Sequence, residues 1–120
     1  LGSGSYQGPY SFASRFENGA GTNPEELLGA AHAGCFSMAL ALALSTAGHV
    51  PTSVTTTAKV HLGQVSGGFA ITSIDLVTRG VVPGVSEAEF KMAAEATKTG
   101  CIVSKALSAV PMTLDAALGK

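Results

Sequence analysis

From Asn23 to Gly48 the chain runs NPEELLGAAHAGCFSMALALALSTAG, the only stretch that combines a helix start, a long apolar body, a stop and a cysteine. Asn23 can cap the first turn, and Pro24 suits a first helical position that needs no amide hydrogen. Glu25 and Glu26 set negative charge against the positive end of the macrodipole, and Glu26 completes a capping-box spacing. Leu27, Leu28, Ala31, Phe36, Met38, Leu40, Leu42 and Leu44 point in every direction around the wheel. A helix apolar all round is enclosed by protein or by lipid. Gly48 is placed to end it in a left-handed turn, so the pattern predicts a buried central helix.

Lipid is the less suitable enclosure. About 20 apolar residues would span a bilayer, but the first turn carries two glutamates and His32 interrupts the body. No Trp, Lys or Arg anchors stand at either end. The 120 residues suit a single domain, residues 1–120. With 46% apolar and 12% charged residues, however, that domain has little polar surface with which to cover itself. Burial in an oligomer follows as an expectation. A net charge of -1, with seven scattered basic residues, leaves no electrostatic footprint for a nucleic acid or a membrane surface. No secretion-signal layout precedes Tyr6, which makes a cytoplasmic location the expectation; since the chain starts at Leu1, its front is expected to have been processed or to be absent.

The remaining elements follow in order. Leu1 to Gly8 is rich in Gly and Ser, and Pro9 to Phe16 reads as a strand with Tyr10, Phe12, Ser14 and Phe16 on one face. Asn18 to Thr22 is a loop into the helix. Val54, Thr56, Ala58, Val60 and Leu62 alternate with polar residues, the period of a half-buried antiparallel strand. Ser66-Gly67-Gly68 is a turn, and Phe69 to Val82 returns with a phase shift that predicts a bulge. Ser86 to Glu89 opens a second helix that Gly100 interrupts. Cys101 to Leu107 reads as a short helix and Met112 to Leu118 as a closing strand, giving an α+β domain of order β, α, β, β, α, β.

Two cysteines occur, Cys35 within the central helix and Cys101 at a helix start. Three readings are open: two inert buried thiols, a structural disulfide, or a reactive thiol with a resolving partner. The third requires a reason for Cys35 to ionise. Its own helix dipole fades within the first turn, and burial alone would raise the pKa. A nearby fixed cation is needed, and Arg15 is the candidate. Lowering a thiol pKa from about 8.5 to about 6 takes roughly 3.4 kcal/mol, which makes most of it thiolate at neutral pH.

The runs FASRFENGAGTNPEELLGAAHAGCFSMAL, GFAITSIDLVTRGVVPG and GCIVSKAL resemble the osmotically inducible protein and organic hydroperoxide resistance (OsmC/Ohr) family, and His32 in GAAHAGCF places the likeness nearer the OsmC branch. The resemblance implies an OsmC-like fold, with the reactive-cysteine helix packed against antiparallel sheets in an intertwined homodimer. It also implies a thiol peroxidase for organic hydroperoxides in oxidative or osmotic stress defence. Cys35 would be the peroxidatic residue, Cys101 the resolving one, Arg15 the activating cation and Glu25 its orienting carboxylate. No bound cofactor or metal is implied. An external dithiol, a dihydrolipoyl group or a generic one, would reduce the disulfide.

Two departures accompany the likeness. Family members usually begin with further N-terminal strands, so part of the first sheet is expected to be missing here, and Ile102 stands where the family commonly has proline. Phe16, Phe36 and Met38 are candidates to line an apolar mouth, while His32 is expected to be a hydrogen-bonded structural histidine. The competing reading is a non-catalytic dimeric interaction module with structural cysteines. Glu25 and Cys35, ten residues apart, lie about 15 Å apart along the helix and roughly 80° around it, so they cannot share one set of contacts. Either Arg15 reaches between them or it and Glu25 come from a second subunit; with the intimate homodimer that the resemblance implies, Arg15 and Glu25 of one subunit are expected to serve Cys35 of the other.

Overall fold

The computed structural model describes residues 1–16 and 19–119. Its elements run α1 (Phe12–Phe16), α2 (Pro24–Thr46), β1 (Ser53–Val65), β2 (Gly68–Val81), α3 (Glu87–Gly100), α4 (Ile102–Ala106) and β3 (Met112–Leu118). Asn18, where the loop into the central helix was expected to begin, lies outside the described residues.

The central helix starts and stops where its sequence signals stand. Asn23 Oδ1 accepts from the Glu26 amide at 2.8 Å, Pro24 occupies the first helical position, and Gly48 at φ +95° follows the Ala47 cap. The His49 amide then donates to Leu44 O at 2.9 Å, closing the end. Only one stripe of α2 is buried: Gly29, His32, Phe36, Leu40 and Leu44. Gly29 sits where a Cβ would press within 3.1 Å of Ala58 O, so its small size lets the helix approach β1 closely. The opposite side is uncovered, with Met38 76% and Leu42 69% exposed. Within the single chain the sheet covers one face of α2 and leaves the other open.

β1 and β2 form a long antiparallel hairpin whose alternation was legible in the sequence. The register slips between His61 and Leu62, with Thr72 left over as the bulge. β3 joins the other side of β2 in parallel, so the order is β1-β2-β3. The expectation of antiparallel sheets is corrected to one mixed sheet. The α3–α4 crossover carries the chain back before β3, and a crossover of that kind delivers a parallel strand. Phe36, Leu40 and Leu44 of α2 meet Ile74 and Leu76 of β2 and Phe90 and Ala94 of α3 in one core that also includes Cys101.

The first expected strand is also corrected. Residues Phe12–Phe16 are helical, and only Tyr10 makes a β-bridge, with Thr22. Ser11 caps the turn, its Oγ accepting from the Ser14 amide at 3.1 Å. Phe12 and Phe16, one helical turn apart, pack with ring centroids at 4.8 Å. Phe16 also packs on Phe69 of β2 at 5.0 Å, which fixes the short helix against the hairpin.

Candidate active site

Cys101 is the joint between two helices. Its amide closes α3 on Thr97 O at 2.9 Å, and its carbonyl opens α4 by accepting from the Lys105 amide at 2.9 Å. This joint packs beside the middle of α2 and sets Cys101 Sγ 2.8 Å from Cys35 Sγ, both thiols free. The two cysteines, 66 residues apart in sequence, form the floor of an apolar recess of about 770 Å³. Gly34, Met38, Leu42 and Ile102 form its walls.

The two sulfurs are electrostatically unequal. Hydrogen bonding from the Cys101 thiol holds the Cys35 pKa below its ordinary value, assisted by the backbone amides of Val103 and Ile102 and opposed by desolvation. Burial pushes the Cys101 thiol up, and its donation to Cys35 raises it further. Cys35 is thus the more readily ionised of the two sulfurs, and Cys101 the one that holds its proton more firmly. The helix end that favours ionisation belongs to α4, not to the cysteine's own helix. That contribution was missed from sequence, although the place of Cys101 immediately before a short helix was its signal. Ile102 contributes an amide hydrogen that a proline at this position would lack.

A lowered pKa means that the thiolate is lost only as pH falls through that lowered value. Alkylation of the native protein by iodoacetamide should accordingly continue at Cys35 below the ordinary thiol range near about 8.5, while Cys101 stays unlabelled. Mass-spectrometric labelling across pH checks this, and a Cys35 midpoint at or above the ordinary value would contradict it.

Arg15 and Glu25 also come together, but elsewhere. Arg15 Nε donates to Glu25 Oε2 at 2.9 Å, with the two side chains 32% and 15% exposed. Asn23 Nδ2 donates to Ser14 O at 2.8 Å, tying α1 to the start of α2 and so fixing the guanidinium. The pair faces recesses lined by Ala58, Val60 and Leu62 on one side and by Phe16 and Phe69 on the other. Neither recess includes Cys35, so one chain does not assemble the four expected residues at one point. Of the three candidates for the apolar mouth, Met38 lines the cysteine recess, Phe16 lines the Arg15 recess, and Phe36 is fully buried in the core.

His32 is fully buried, and burial lowers its pKa, favouring the uncharged ring. Its Nε2 lies 2.8 Å from Ser104 Oγ. Ser104, from α4, is the buried partner that sequence reasoning did not identify. His61 lies on the exposed face of the sheet against Asp75, at 2.6 Å, and His49 faces Glu89 at 3.6 Å.

Residues 17–115 match the family of OsmC-like proteins. Peroxiredoxin OsmC of Escherichia coli is 54% identical over 109 residues, covering 91% of this chain and 76% of that protein. An organic hydroperoxide resistance protein of Xanthomonas axonopodis is 37% identical over 89 residues, covering 73% of this chain and 61% of that one. Among solved structures, an organic hydroperoxide resistance protein of Elizabethkingia anophelis superimposes with a TM-score of 0.83 at 27% identity, over 98% of this chain and 84% of that one. With the model match spanning most of its length and the identity to a relative above half, the chain belongs to the family of OsmC-like proteins.

Proposed function

We propose that the chain is a thiol-dependent peroxidase that reduces organic hydroperoxides in defence against oxidative stress. The observation that carries this reading is the 2.8 Å approach of Cys101 Sγ to Cys35 Sγ at the floor of an apolar recess. The relatives named peroxiredoxin and organic hydroperoxide resistance protein support it.

In the proposed cycle the Cys35 thiolate attacks the distal oxygen of the hydroperoxide. The S–O bond forms, the O–O bond breaks, and the departing alkoxide takes a proton to become an alcohol. Cys35 is left as a sulfenic acid, which Cys101 converts to a disulfide with loss of water. An external dithiol, a dihydrolipoyl group or a simpler one, then returns both thiols. The apolar walls around the sulfurs favour the organic substituent of the substrate over hydrogen peroxide.

The chemistry also calls for a cation beside Cys35 to stabilise thiolate and alkoxide. We assign this to Arg15 of a second subunit, held by that subunit's Glu25. The uncovered apolar side of α2, which borders the cysteine recess, would be buried in such a homodimer.

Turnover of cumene hydroperoxide and of hydrogen peroxide by the reduced protein, with dihydrolipoamide or dithiothreitol in excess, tests the reading. The organic substrate should give a kcat/KM at least about tenfold higher, since each buried methylene contributes about 0.8 kcal/mol and a tenfold change requires about 1.4. No consumption above the buffer rate would instead support the non-catalytic interaction module.

A further inference from the structure

Four side chains follow one another from the recess into the core: half-buried Cys35, then buried Cys101, Ser104 and His32. Cys101 is 1%, Ser104 3% and His32 0% exposed. The row is closed at one end by the 2.8 Å sulfur–sulfur approach and at the other by the 2.8 Å contact of Ser104 Oγ with His32 Nε2. Ser104 follows Cys101 by three residues in the first turn of α4, which puts the two on the same side of the helix. The hydroxyl lies near enough to Cys101 to oppose part of the rise that burial imposes on that thiol.

The direction of the row follows from His32. Its Nδ1 is buried and has no hydrogen-bond partner among the described residues. A buried nitrogen without a partner is less costly as a bare acceptor than as an orphaned N–H, so the hydrogen of the neutral ring belongs on Nε2. Nε2–H then donates to Ser104 Oγ. The one hydroxyl hydrogen of Ser104 is left free to point at Cys101, whose own hydrogen points at Cys35. Every donor in the row faces the reactive sulfur.

We propose that His32 and Ser104 are positioning residues for the second half of the peroxidase cycle. The imidazole fixes the Ser104 hydroxyl, and the hydroxyl donates to Cys101 as that sulfur attacks the Cys35 sulfenic acid. In that step the Cys101 electron pair forms the S–S bond, the S–O bond of Cys35 breaks, and the leaving hydroxyl takes the Cys101 proton to become water. Cys101 is oxidised, the Cys35 sulfur is reduced, and the serine and histidine neither gain nor lose a proton. Their contribution is to stabilise negative charge on a buried sulfur that burial otherwise keeps protonated. Arg15 and the α4 amides serve the first sulfur; this pair serves the second.

The inference rests on the peroxidase reading, and its test separates the two. Reduced full-length protein is mixed with one equivalent of cumene hydroperoxide. Sulfenic acid at Cys35 is trapped with a 1,3-dione, and disulfide is quantified by mass spectrometry over time. In Ser104→Ala and His32→Leu, the first oxidation should stay within about threefold of wild type while disulfide formation slows by about tenfold or more, with Cys35 sulfinic acid accumulating under excess peroxide. His32→Gln, whose amide nitrogen reaches the place of Nε2, should restore disulfide formation to within about threefold. Imidazole 15N spectra of the wild type should show the Nε2–H tautomer at neutral pH, a measurement that needs no variant to fold. An Nδ1–H tautomer, an unchanged disulfide rate in Ser104→Ala, or equal slowing of both steps would overturn the relay while wild-type turnover left the peroxidase reading standing. A wild type that consumes no hydroperoxide would overturn both.

Discussion

Cys35→Ser is expected to abolish hydroperoxide consumption altogether, whereas Cys101→Ser should consume about one equivalent per subunit and then stop. A serine hydroxyl placed among the same donors does not ionise near neutral pH, so nothing remains to attack the peroxide oxygen. Without the Cys101 sulfur the first oxidation still has its nucleophile, and the serine hydroxyl can take over the donation that most lowers the Cys35 pKa. The sulfenic acid then has no thiol at 2.8 Å to condense with and proceeds to sulfinic acid when peroxide is in excess. Stopped-flow consumption of hydroperoxide, with intact-mass analysis of the product, distinguishes the two variants. Sustained turnover by Cys35→Ser would remove Cys35 from the mechanism.

The second large effect concerns Arg15. Arg15→Lys keeps the charge but replaces a planar fork with a point donor, which cannot hold Glu25 through Nε and present its remaining N–H groups elsewhere with the same geometry. A hydrogen bond to a charged group contributes about 1.5–3 kcal/mol, so kcat/KM should fall roughly ten- to a hundredfold. Because Arg15 and Cys35 occupy separate recesses within one chain, the loss should also be repairable between subunits. If the proposed composite site forms, heterodimers of Cys35→Ser and Arg15→Ala subunits would carry one intact site each. They should recover about half of wild-type activity when purified and about a quarter in a randomly assembled pool. Verified heterodimers with no activity would show that the two residues do not meet across an interface, and a near-normal rate in Arg15→Lys would make Arg15 a surface residue.

What could be read from the residues was set by how local the determinants are. Asn23, Pro24 and Gly48 act within a turn of where they stand, and α2 begins and ends with them. The alternation of β1 and the capping pair Ser86 and Glu89, joined at 3.1 Å, are equally local. Residues 12–16 were misread because Phe12, Ser14 and Phe16 fit a period of two as well as Phe12 and Phe16 fit a helical turn. The tie is broken by the Ser11 cap and by the docking of Phe16 on Phe69, 53 positions away. In the site, Cys35 and Cys101 were recognisable by residue type and setting, and the Arg15–Glu25 contact as a family likeness. The contact between Ser104 and His32 spans 72 positions and links two residue types common in any core, so no pattern in the chain announces it.

At the helix joint, local stability and chemistry prefer different atoms. Cys101 occupies an N-cap position at φ -58° and ψ 137°, yet its side chain makes no capping hydrogen bond. Serine is among the residues best suited to that position, where capping contributes about 1 kcal/mol. The fold thus carries a less favourable helix start at the point where the proposed cycle requires sulfur. Selection for thermal resistance alone would favour a hydroxyl residue at this position, and the proposed need for repeated turnover would oppose it. A homologue in which position 101 had become serine would look well folded, even improved, while having become a protein that reacts once.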